Sequence, residues 1–140
     1  MRFLALDVGT RRIGLALSES GVFAKPHGVL HRKSKKEDFT RLSRLITELK
    51  IERVIVGLPY SLSGQEEMGP QARQVKRYAE ALAEVIPVPL EYFDESYSTV
   101  DAQAQLSAFG QKKVPIDAAA AAVILQNYLD ALRNKELHSP

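Results

Sequence analysis

Two short apolar runs, FLALDV (3–8) and IGLALS (13–18), stand on either side of Gly9-Thr10-Arg11-Arg12. An apolar run of this length stopped by turn formers reads as a buried strand, and two so spaced read as a β-hairpin. The first run has a carboxylate, Asp7, embedded in it. Unpaired burial of an ionised carboxylate costs several kcal/mol, so Asp7 must be paired, hydrogen-bonded or bound to a metal. No Lys or Arg lies within that strand. Any fold of this chain therefore has to bring a partner to Asp7 from elsewhere.

The chain after the hairpin supplies the remaining elements. GVFAKPHGVLHR (21–32) holds a third strand, shortened or bent by Pro26 and Gly28. His31-Arg32-Lys33-Ser34-Lys35-Lys36 is the densest basic run; it reads as a solvated loop, and as a phosphate-contact segment if it borders a site. Over 37–50, Phe39, Leu42, Leu45, Ile46 and Leu49 fall at helical spacing. RVIVGLP (53–59) is a buried strand stopped by Gly57 and Pro59, and a polar loop follows over 60–70. Ala72, Val75, Ala79, Leu82 and Ile86 predict a helix over 69–85, ended by Pro87. VPLEYFDES (88–96) is a fifth strand that ends on Asp94 and Glu95. Ser98 as N-cap, with Asp101 three residues on, opens a helix over 98–109, and GQKKVP (110–115) is a basic loop. The last helix covers 116–132, with Ile124, Leu125, Tyr128, Leu129 and Leu132 as its apolar face and Asp117 capping its N-terminus.

Three strands joined by short turns form an antiparallel meander, whereas strands separated by helices enter a sheet in parallel through right-handed crossovers. The expected fold is α/β: a mixed five-stranded sheet, its first three strands antiparallel and its last two parallel, with helices on both faces. A single domain over 1–140 is expected at this length. The chain has no cysteine, which excludes disulfides and thiolate zinc sites and fits a reducing cytoplasm. No apolar run approaches the ~18 residues of a membrane span, so a soluble, cytoplasmic protein with no membrane partner is expected. Residues 1–50 carry 11 Lys and Arg against 5 Asp and Glu, a balance of +6; residues 51–140 carry 8 against 12, a balance of −4. The basic half suits a polyanion, and suits an unevenly charged solvated surface equally well.

Three acidic positions stand out: Asp7, the Asp94-Glu95 pair, and Asp117. Taken alone, Asp117 is a helix cap and Asp94 and Glu95 are solvated residues at a strand end. Taken together they repel, and so ask for a divalent cation or for raised pKa values. Oxygen-only ligation points to Mg²⁺ or Mn²⁺ rather than zinc. Two such ions roughly 4 Å apart would activate water and stabilise the leaving oxygen in phosphodiester hydrolysis. Alternation along a strand puts at most one of Asp94 and Glu95 on a given face, unless the strand has already ended, and sequence leaves open which.

LALDVGTRRIGLALS, VIVGLPYSLSG, YFDESYSTVDA and PIDAAAAAVILQNYL, in that order, resemble the YqgF/RuvX family of pre-16S rRNA nucleases, which are similar to Holliday junction resolvases. The resemblance implies an RNase H-like fold, a metal-dependent nuclease, and a role in pre-16S rRNA 5′-end maturation or on branched DNA, with the ribosome or its precursor as partner. It implies Asp7, Glu95 (or Asp94) and Asp117 as metal ligands. Arg11, Arg12, Arg32, Lys33, Lys35 and Lys36 are the expected phosphate contacts, on RNA in preference to structured DNA. A monomer and a homodimer both fit. Two departures weaken parts of the carry-over: Ser96 follows the acid pair where the family usually has Arg, and Tyr60-Ser61-Leu62-Ser63 stands where the family commonly has Asn and Asp.

Two other readings compete. Asp7-Val8-Gly9-Thr10 also matches the phosphate loop of actin-like and sugar-kinase-like ATP-binding folds, but those close a cleft between two domains and this chain supplies one. A non-catalytic RNA- or ribosome-binding module of the same fold is the other, and Ser96 favours it. It predicts salt-sensitive binding without cleavage.

Overall fold

The computed structural model describes residues 1–59, 69–94 and 115–137. The helix expected over 98–109, most of the loop after Pro59, and Glu95 and Ser96 lie outside the described residues. The elements are β1 (Phe3–Val8), β2 (Arg12–Ser18), β3 (Lys25–His31), α1 (Lys35–Glu48), β4 (Arg53–Leu58), α2 (Pro70–Ala83), β5 (Leu90–Asp94) and α3 (Ile116–Leu137). They form one mixed sheet in the order β3-β2-β1-β4-β5. β1, β2 and β3 pair antiparallel, and β4 and β5 join in parallel. This is the expected RNase H-like sheet.

Strand alternation divides the core in two. Leu4, Leu6 and Val8 of β1, Ile13, Leu15 and Leu17 of β2 and Val54, Val56 and Leu58 of β4 face α1 and α2, where Leu42, Ile46, Val75, Ala79 and Leu82 meet them. Phe3, Ala5, Ala16 and Ile55 face the other way, against Ala121, Ala122, Leu125, Tyr128 and Leu129 of α3. Helices therefore cover both faces. The run of alanines in α3 has its reason here: small residues on the helix meet Ala5 and Ala16 on the sheet, so the two surfaces pack closely. Tyr128 anchors the helix from the middle, edge-on to Phe3 and Phe93 and donating from its hydroxyl to Glu91 Oε2 at 2.7 Å.

Several boundaries differ from the sequence reading. α1 begins at Lys35 because Ser34 caps it, its side chain accepting from the Glu37 N–H at 3.1 Å. The basic run is thus not one solvated loop: His31 ends β3, and Lys35 and Lys36 open the helix. Ser34-x-x-Glu37 has the form of a capping box, which was the signal for that start. Pro26 and Gly28 flank an irregularity in edge strand β3, opposite Leu15 and Ala16, where a missing N–H is tolerated. β5 begins at Leu90 rather than at Val88, and α3 runs five residues beyond 132.

Candidate active site

Asp7 is the fifth residue of β1 and lies in register with Gly14 of β2. Cross-strand partners project to the same face, so both point toward α3. A Cβ added to Gly14 would collide with the backbone carbonyl of Asp117. The bare backbone at Gly14 is what lets the first turn of α3 rest on β2 opposite Asp7. Asp117 is the second residue of α3, not its cap. Its Oδ2 takes an ion pair from Arg12 Nε at 3.2 Å.

Asp7 is half-buried, and among the described residues no cation or hydrogen-bond donor reaches its carboxylate. Loss of hydration, and then the negative charge of Asp117, push its pKa from the ordinary 3.8 up to about 6. Among the described residues, the charge that acts on Asp7 is therefore that of a second acid. Two like charges, one of them poorly hydrated, and oxygen donors only: that donor set fits a hard divalent cation. Among the described residues no third His, Cys, Asp or Glu joins them.

The turn between β1 and β2 forms the rim. Gly9 N–H donates to Arg12 C=O at 2.8 Å, closing the turn. A cleft of about 430 Å³ lined by Gly9, Thr10, Arg11, Arg12 and Asp117 opens beside the acids. Arg11 and Arg12 are exposed there, Arg12 by 58% even while it holds Asp117. Asp94 is in register with Leu58 and shares its face with Leu90 and Tyr92, the face of α1 and α2. Asp7 and Asp117 are on the opposite face.

Of the basic run, Lys33, Lys35 and Lys36 are exposed. Arg32 is built into the fold. Its Nη1 donates to Gly9 C=O at 2.7 Å, its Nε is 4.0 Å from Asp38 Oδ2, and its guanidinium lies 4.3 Å from the centre of the Tyr78 ring. Asp38 itself, only 1% exposed, accepts from Lys33 N–H and from the Tyr78 hydroxyl. Sequence reasoning passed over Asp38. The available signal was its place four residues before Leu42 and eight before Ile46, on the buried stripe of α1.

Comparison with known proteins follows the same lines. The family RuvX, described as Holliday junction resolvase, matches residues 1–131. A protein of Thermoanaerobacter pseudethanolicus named "Putative pre-16S rRNA nuclease" is 42% identical, over 96% of this chain and all of its own. One of the same name from Chloroflexus aggregans is also 42% identical, over 94% of each chain. Among solved structures, Thermus thermophilus RuvC in complex with a Holliday junction superposes with a TM-score of 0.63 at 18% identity, covering 95% of this chain and 96% of that one. Fowlpox virus resolvase with its Holliday junction DNA gives 0.56 at 10% identity, covering 94% and 99%. At those identities the two structures speak for the fold alone.

Proposed function

The chain belongs to the RuvX family, a family of nucleases, and on that premise we propose that it is a divalent-metal-dependent nuclease that hydrolyses phosphodiester bonds in the maturation of pre-16S rRNA. The observation that carries the reading is the pairing of Asp7 with Asp117. Gly14 makes room for two acids on one sheet face, and the pKa of one is lifted to about 6. A fold keeps repelling carboxylates together at a cost in stability, and an Mg²⁺ or Mn²⁺ ion relieves that repulsion. Asp7 and Asp117 would hold the ion. Asp94 is turned to the face of α1 and α2, which leaves Glu95 as the third ligand that the family resemblance implies. When bound, the ion supplies Lewis-acid activation of water and charge stabilisation at the leaving oxygen.

The chain's own residues do the rest. Arg12 orients the Asp117 carboxylate and, being exposed, offers its Nη donors to a phosphate of the substrate. Arg11 adds a second cation at the mouth of the cleft, and Lys33, Lys35 and Lys36 extend the basic surface. Substrate is held by its phosphates in this scheme, with RNA favoured and branched DNA as the other candidate, and the protein works in the cytoplasm as a monomer or homodimer.

Purified protein and its Asp7→Asn variant, given Mn²⁺ or Mg²⁺ with an rRNA precursor, single-stranded RNA and a four-way DNA junction, test the reading. Wild type is expected to cut the precursor, and Asp7→Asn to fall to background with its circular dichroism unchanged. Full activity in Asp7→Asn would sink the metal site. Salt-sensitive binding with no cleavage under either ion would favour the non-catalytic module that Ser96 supports.

A further inference from the structure

The β1–β2 turn has a second side. Val8 follows Asp7 on β1 and faces α1 and α2, and on that side of the turn lies a separate cleft of about 300 Å³. Gly9 and Thr10 form one wall, Arg32 and Lys35 another, and Gln74 and Arg77 of α2 close it. Three cations line it, and among the described residues no carboxylate does. Buried Asp38 stands behind Arg32 and offsets one of the three charges. Lys35 and Arg77 are exposed and take part in none of the ion pairs among the described residues.

The chemistry of the cleft is that of an anion site with a fixed centre. Arg32 is immobilised by Gly9, Asp38 and Tyr78 together, so little side-chain entropy is left to lose on binding. Arg32 also covers the Tyr78 ring, which leaves that ring closed to a stacking base. Recognition is then of phosphate and sugar, independent of sequence. The volume lies at the small end of ligand pockets, enough for one nucleotide unit and too small for a duplex. Gly9 and Thr10 line this cleft and the one beside Asp117, so a single strand crossing the turn reaches both.

We infer that this cleft holds a backbone phosphate of the nucleic-acid strand, across the β1–β2 turn from the bond presented to Asp7 and Asp117. The inference rests on the nuclease reading and adds α2 to the substrate-binding surface. Arg77 is the residue that sequence did not single out.

The test uses the full chain carrying Asp7→Asn, with Mg²⁺ present, titrated into a short labelled single-stranded RNA and into DNA of the same sequence. Adding Arg77→Gln or Lys35→Gln is expected to weaken binding about tenfold and to make the plot of log affinity against log salt shallower by about 0.7. Arg77→Lys should keep most of the affinity. Arg73→Gln lies on the same helix outside the cleft and serves as the control, with a change below about twofold. Equal effects of Arg77→Gln and Arg73→Gln overturn the inference while leaving the nuclease reading intact, provided the unsubstituted protein cuts. Displacement of RNA by micromolar AMP or ATP also overturns it, because the cleft would then be a free-nucleotide site. A wild type that neither binds nor cuts nucleic acid removes both.

Discussion

An acid whose pKa is raised by folding destabilises the folded chain whenever it is ionised. For Asp7, folded and unfolded states are both protonated below about pH 3.8 and do not differ. Between 3.8 and about 6 the unfolded chain gives up its proton while the folded one keeps it, so stability falls as pH rises. Above about 6 the penalty is complete, on the order of 3 kcal/mol as an upper bound. Asp7→Asn removes it. In EDTA, urea unfolding should find that variant more stable than wild type by about 1–3 kcal/mol at pH 8, with the two converging at pH 4. Millimolar Mn²⁺ should raise the wild-type midpoint and leave Asp7→Asn where it was. A wild type more stable than Asp7→Asn at pH 8 without metal would contradict the account. Sequence identified Asp7 because a lone carboxylate in an apolar strand is uncomfortable. It could not say that, among the described residues, Arg12 would pair with Asp117 instead, since that depends on where Arg12 points.

At the scale of elements, the site depends on how closely α3 approaches β2. Gly14→Ala puts a methyl group into the Asp117 carbonyl, and because the obstacle is backbone, the helix start has to move. Overpacking of this kind costs about 1–3 kcal/mol. Activity should fall further than stability does, since the movement separates Asp117 from Asp7. Gly28→Ala is the comparison: its Cβ meets nothing within 4 Å, so unfolding should change by less than about 0.5 kcal/mol. Equal, small effects of the two substitutions on urea midpoint and on cleavage would show that the approach at Gly14 is not critical. The helix and the strand were each legible from periodicity. Their contact was not, because a glycine inside an apolar strand carries no mark of what lies over it.

Across the whole molecule, one buried acid joins three elements. Asp38 of α1 takes hydrogen bonds from the Lys33 backbone after β3 and from Tyr78 of α2, and stands by Arg32. Asp38→Ala leaves Arg32 facing a vacated, poorly hydrated site, and should destabilise the fold by about 3 kcal/mol in urea unfolding. Tyr78→Phe, which removes one hydrogen bond, should cost about 1 kcal/mol. A loss under 1 kcal/mol for Asp38→Ala would mean the network is only local. By itself the sequence determined the order of the described strands and helices and the mixed sheet, and it singled out Asp7 and Asp117 as candidates, because alternation, helical spacing and turn residues are local and written along the chain. Tertiary structure decided the rest: which face Asp7, Asp94 and Asp117 take, that Arg32 is held by Gly9, Asp38 and Tyr78, and that α2 shares a basic cleft with the β1–β2 turn. Those outcomes depend on register and on close packing between residues far apart in the chain, and neither leaves a trace in residue type alone.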